Sequence, residues 1–142
     1  MLDLCSSWVS HFPDDGADGV RFGRVAGLGM NAEELAANKQ LSEWVVRDLN
    51  KQPVLPYADG SFDAVTCTVS IDYLTQPLAV MREVARVLRP GGRVNVLGTL
   101  DSTTKALVPL TQMHSIRLVL SNLRTAGFNV EDSNVLVRAL YS

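Results

Sequence analysis

The stretch "SFDAVTCTVSIDYLTQPLAVMREVARVLRPGGRVNVLGT" (Ser61–Thr99) decides the architecture. Its first part, Phe62–Ser70, is rich in valine and lacks strict polar alternation, which suits a strand buried on both faces. From Gln76 to Leu88 the period changes, and Leu78, Met81, Val84, Ala85 and Leu88 fall on one face at helical spacing. Pro90-Gly91-Gly92 stops that helix, because proline lacks a backbone donor and glycine admits the turn. Arg93–Thr99 then reads as another strand. Strand, helix and strand in that order make a unit of a parallel sheet with a right-handed crossover.

The alternation continues in both directions. Met1–Leu4, Arg24–Leu28 and Trp44–Asp48 are short apolar runs that read as strands one to three, so Phe62–Ser70 is the fourth and Arg93–Thr99 the fifth. Asn31 is placed to cap a helix over Ala32–Lys39, with Glu33 and Glu34 complementing its positive end. Beyond the fifth strand a helix is expected from about His114 to Ala126, closed by Gly127. Two closing strands, "FNVE" and "VLVRALYS", are separated only by Asp132–Asn134, too short for a crossover, so they are expected to be antiparallel. Residues 1–142 read as one doubly wound α/β domain without repeat or linker. Met1 falls inside the first strand, so any helix before it is expected to be absent: an N-terminally truncated form of the fold.

Bulk properties narrow the function. The 142 residues, 46% hydrophobic and 20% charged, suit a globular domain and exclude disorder. A net charge of −2 argues against a general nucleic-acid binder, which normally carries a basic face. No apolar run reaches the roughly 18 residues that span a bilayer, and the opening "MLDLCSSW" has no basic segment of a secretory signal. The expected partners therefore include no nucleic acid and no membrane, and the expected location is cytoplasmic. Cys5 and Cys67 are too few for a disulfide framework or a metal centre, so both are expected as free thiols, near one another on adjacent strands.

At "LPYADGSFDAV" (Leu55–Val65) and "ARVLRPGGRV" (Ala85–Val94) the chain resembles class I S-adenosylmethionine-dependent methyltransferases of the type 11 group. "LDLCSSWVSHFP", "VAGLGMNAEELAAN" and "DLN" resemble more narrowly a methyltransferase-like branch whose first motif lacks glycine. The resemblance runs from the first strand to Phe128. It implies a Rossmann-like, seven-stranded sheet of order 3-2-1-4-5-7-6 with strand seven antiparallel, and S-adenosyl-L-methionine as cofactor.

The same resemblance assigns candidate cofactor residues. Asp3 matches the acid that fixes the methionine portion, directly or through water. Cys5, Ser6 and Ser7 stand where the family has its glycine-rich turn, and they are expected to face the cofactor provided the turn avoids positive φ. Gly29 occupies the place of the acid that accepts both ribose hydroxyls, with Met30 and Asn31 following it. Asp48 matches the acid that meets the adenine amino group, with Leu49 as amide donor and apolar wall. Val69 closes the set at the end of the fourth strand. Asp48 also reads as a strand-end aspartate facing water, and Asn31 as a helix cap.

The transfer centre falls after the fourth strand, at Ser70, Asp72 and Tyr73. Asp72 can orient or deprotonate an acceptor and Tyr73 can close the pocket, but both also suit the start of a helix. Trp8 and His11 lie beside the cofactor loop, where a lone histidine is more often structural. Two classes stay open. One is a methyltransferase acting on a small-molecule acceptor, which the retained Asp3, Asp48 and the framework from SFD to PGG favour. The other is a catalytically silent methyltransferase-like binding or interaction module, which the absent glycines and missing ribose acid favour. A nicotinamide dehydrogenase is more distant, since no G-x-G-x-x-G follows the first strand. The acceptor and the oligomeric state are not readable.

Overall fold

A computed structural model describes residues 1–12, 21–68 and 70–97. Its elements are β1 (Leu2–Leu4), β2 (Ala26–Gly29), α1 (Ala32–Ala37), β3 (Glu43–Val46), β4 (Phe62–Thr68), α2 (Pro77–Val87) and β5 (Leu88–Leu97). A single 3-10 turn, Ile71–Tyr73, separates β4 from α2. The strands form one sheet of order β3-β2-β1-β4-β5, and every pairing is parallel. The five strands thus take the expected order. The expected helix at His114–Ala126 and the two closing strands lie outside the described residues. Among those residues, no helix is long and apolar enough to cross a membrane.

The core lies between the sheet and α2. Leu2, Leu4, Leu28, Val65 and Cys67 of the sheet meet Val80, Met81, Val84 and Val87 of the helix. Of the expected stripe, Met81, Val84 and Leu88 are buried, whereas Leu78 and Ala85 are only half-buried and Val80 and Val87 are buried in addition. The capping also resolves two boundaries. Asn31 does cap α1, its side chain accepting from the Glu33 and Glu34 amides, while α2 opens on Pro77, whose missing donor costs nothing there.

Two readings of the strands need correction. β3 is not buried on both faces: Glu43, Trp44 and Val46 are exposed, because among the described residues it pairs only with β2 and the six-residue α1 gives limited cover. Pro90-Gly91-Gly92 does not stop the helix either, since α2 has already ended at Val87 and the triplet lies within β5. Leu88 pairs with Phe62 and Arg93 with Ala64, so Arg89–Gly92 bulge out opposite Asp63. Gly91 takes φ +79°, and a Cβ on Gly92 would press on the Arg89 and Asp63 carbonyl oxygens. Those two glycines are what the bulge requires.

Charge locks the loop before β4 to α2, and the bulge to β4. Arg86 donates to the carbonyls of Leu55 (3.0 Å) and Tyr57 (2.9 Å) and to the carboxylates of Asp59 and Glu83 (each 2.7 Å). Glu83 in turn accepts from the Leu55 amide (2.9 Å), and Arg89 pairs with Asp63 at 2.6 Å. The hydrogen bonds from Arg86 hold the Glu83 carboxyl below the usual carboxylate range, and those same partners raise the Arg86 guanidinium.

Candidate functional site

The carboxyl ends of β1 to β4 surround a cleft of about 400 Å³, within the roughly 300–1,000 Å³ typical of small-molecule sites. It lies where the chain runs from β1 outward in both directions, the switch point at which doubly wound sheets bind ligands. The Cys5–Ser7 loop forms one wall, the β2–α1 junction a second, Arg47–Asn50 a third, and Ser70, Tyr73 and Leu74 a fourth.

The loop after β1 turns without glycine, but not by avoiding the left-handed region. Cys5 takes φ +58°, a geometry that costs a non-glycine residue about 1–2 kcal/mol. The proviso that the turn avoid positive φ is thereby not met: Cys5 adopts the backbone geometry that favours glycine. The turn returns the chain so that the Ser6 amide donates to the Leu28 carbonyl (2.9 Å). The Cys5 thiol meets Cys67, and that hydrogen bond lowers its pKa against the opposing effects of burial and the Asp3 charge. Both cysteines are free, and they are neighbours as expected.

A buried polar network holds this loop. Asn38, the C-cap of α1 and only 4% exposed, donates to the Ser7 carbonyl (2.9 Å) and to Ser10 Oγ (3.0 Å). Ser10 Oγ donates to Asp3 Oδ2 (2.6 Å), and Thr66 Oγ1 donates to Asp3 Oδ1 (2.9 Å). The Ser10 amide is taken by Gln40 Oε1 (2.8 Å). Asp3 therefore does not line the cleft; it anchors the loop that does. Asn38 and Ser10 escape a sequence reading, because a polar residue closing a short helix looks like any cap. Ser6 is buried, and its Oγ accepts from Asn38 (3.4 Å), leaving the hydroxyl proton to donate elsewhere.

The β2 end explains the missing acid. A Cβ on Gly29 would overlap the Ser6 carbonyl oxygen, so no side chain fits there while the loop keeps its course. Beside it Met30 is 70% exposed at the mouth, and Asn31 is held as the cap of α1. Glu34, in the first turn of α1, lines the same wall. Its Oε2 accepts from the Ser7 hydroxyl (2.8 Å) and its Oε1 from Asn31 Nδ2 (3.0 Å).

On the third wall, Asp48 lines the cleft with its Oδ1 accepting from the Asn50 amide (2.9 Å) and Oδ2 3.6 Å from Lys51. Leu49 beside it is buried and apolar. Asn50, not singled out in the sequence, stitches this wall to the fourth. Its Nδ2 donates to the Tyr73 carbonyl (3.0 Å), and its Oδ1 accepts from the Thr75 amide (2.8 Å) and hydroxyl (3.1 Å). Asp72 is the middle residue of the Ile71–Tyr73 turn, and the Tyr73 ring is 75% exposed at the cleft rim. Ser70 lines the cleft; Val69 lies outside the described residues. Trp8 and His11 are exposed and do not line it.

A parallel α/β sheet with a cleft at its switch point is the arrangement in which doubly wound folds bind ligands. Residues 10–96 match the family described as methyltransferase domain, more than half of the chain. The chain belongs to that family, the type 11 class I methyltransferases, whose cofactor is S-adenosyl-L-methionine. It is 41% identical over 92 residues to "Methyltransferase GfsG" of Streptomyces halstedii, covering 58% of this chain and 33% of that protein. It is 33% identical over 91 residues to the ubiquinone/menaquinone biosynthesis C-methyltransferase UbiE of Roseobacter denitrificans, covering 64% of this chain and 35% of that one. The chain thus spans about a third of the length of these curated relatives. Among solved structures, a SAM-dependent methyltransferase from Aquifex aeolicus superposes with TM-score 0.64 at 18% identity, over 92% of this chain and 72% of that one. Phosphoethanolamine N-methyltransferase 2 of Haemonchus contortus, in complex with S-adenosyl-L-methionine, gives 0.61 at 19% identity, over 99% and 36%. At these identities the structural likeness speaks for the fold alone.

Proposed function

We propose that this chain is the cofactor-binding domain of an S-adenosyl-L-methionine-dependent methyltransferase acting on a small-molecule acceptor. The observation that carries the reading is the chemistry of the cleft of about 400 Å³: an apolar wall at Leu49 next to an acceptor at Asp48, with a hydroxyl donor at Ser6 on the wall formed by the loop after β1. That donor set fits the group. Asp48 and Leu49 would take the adenine end. The Ser6 hydroxyl would meet the methionine carboxylate, while Asp3 acts behind it by fixing the loop. Bound there, the cofactor supplies an electrophilic methyl group on a sulfonium. Tyr73 and Met30, both exposed at the rim, offer apolar surface to an acceptor, and Asp72 and Ser70 follow β4 where a base or orienting group is needed. Relatives named for ubiquinone biosynthesis support a small, apolar acceptor.

A second reading, a binding module without catalysis, is favoured by the overlap that keeps Gly29 bare and by the left-handed Cys5. Incubation with methyl-labelled cofactor and a panel of hydroquinones and phenols separates the two. Label entering the small-molecule fraction is the expected result. Saturable cofactor binding with no label in any acceptor would favour the silent module.

A further inference from the structure

The structure leaves the ribose of the cofactor without its usual acid, yet it holds a carboxylate within the same wall. Gly29 cannot carry a side chain, because the Ser6 carbonyl oxygen occupies the space a Cβ would need. The carboxylates among the described residues that line the cleft are Asp48 and Glu34. Asp48 is on the third wall, engaged by the Asn50 amide and Lys51. Glu34 is on the Gly29 wall, half-buried, and clamped from two sides by Ser7 Oγ (2.8 Å) and Asn31 Nδ2 (3.0 Å).

Glu33 and Glu34 both sit in the first turn of α1, where either complements the helix dipole. Dipole complementation does not call for the clamp, which is specific to Glu34. Ser7, in the place of a glycine, supplies one half of that clamp, so two departures from the family pattern serve one device. A carboxylate fixed by one donor on each oxygen keeps further acceptor positions, and a ribose presents two vicinal hydroxyls that a single carboxylate can accept together.

We propose that Glu34 is the ribose acceptor of this cleft, the acid having moved from the end of β2 to the first turn of α1. Ser7 is its positioning residue. The proposal rests on the cofactor reading above, and the test separates their failures.

The experiment is calorimetric titration of the full chain with S-adenosylhomocysteine and with its 2′-deoxy analogue. Glu34→Gln keeps the shape and removes the charge; it should weaken S-adenosylhomocysteine binding by about 10- to 100-fold. Ser7→Ala should weaken it less, and Glu33→Gln, which removes the same helix-end charge, should leave it unchanged. The parent should bind the 2′-deoxy analogue more weakly than S-adenosylhomocysteine, and Glu34→Gln should discriminate between the two far less. Thermal melts of each variant establish that the loss is not unfolding. Undiminished affinity in Glu34→Gln, or equal discrimination by parent and variant, overturns the proposal while leaving the cofactor reading intact. No binding by the folded parent overturns both.

Discussion

Cys5 shows what a single residue contributes to this loop. At φ +58° it adopts a conformation in which glycine carries no steric cost, so Cys5→Gly should leave stability within about 1 kcal/mol of the parent, strain relief offsetting the lost thiol contact. Cys5→Val places a β-branched residue in the same geometry and should cost roughly 2 kcal/mol or more. Chemical denaturation of the two variants checks the contrast; equal destabilisation would mean the backbone geometry is not the controlling factor. Gly29 makes the converse point. Restoring the family's acid as Gly29→Asp should lower stability by about 1–3 kcal/mol and should not tighten cofactor binding, because the new side chain collides with the Ser6 carbonyl. Tighter binding in that variant would show that the loop yields readily. Neither feature could be read from the sequence. The absence of glycine was visible at Cys5-Ser6-Ser7, but the backbone course that put Cys5 in the left-handed region and closed over Gly29 depends on Asn38, Ser10 and Gln40, 28 to 32 residues apart along the chain in their hydrogen bonds.

At the scale of elements, side-chain charges tie α2 to the loop before β4 and β5 to β4. Arg86 and Glu83 bind the loop before β4, and Arg89 binds Asp63 across the bulge. Arg86→Ala removes charge-assisted bonds to two carbonyls and two carboxylates from a side chain that is 30% exposed, and should lower stability by about 2–3 kcal/mol. The coupling also sets a pH dependence. The folded Glu83 carboxyl titrates below its unfolded value, so its stabilisation is full above the unfolded value and lost as pH falls through the folded one. Glu83→Gln should therefore flatten the acid limb of a stability–pH profile; an unchanged limb would remove Glu83 from the account. These elements were the most legible part of the sequence, because strand period and helix period are local signals. The boundaries were less so. The bulge at Arg89–Gly92 arises from pairing with β4, and the exposure of β3 arises from what does not cover it. No local pattern encodes either.

The whole molecule brings together residues that the sequence scatters: a loop after β1, a helix start after β2, Asp48 after β3 and a turn after β4, all at one end of a parallel sheet. Strand order placed those four segments side by side, which is why the Cys5–Ser7 loop was readable as a cleft loop from topology, whereas Asp48 and Leu49 were readable only through the family resemblance. Asn50 and Glu34 were not, since their importance lies in partners on other walls. The central claim is that this cleft takes S-adenosyl-L-methionine with Asp48 as a contact. Its most direct test is calorimetric titration of the folded chain with that cofactor, alongside Asp48→Ala. The account predicts weak, saturable heat in the parent and an affinity reduced about tenfold or more in Asp48→Ala, the loss of one or two hydrogen bonds to a charged group. No heat with cofactor in large excess, from a chain shown to be folded by its cooperative melt, would contradict it.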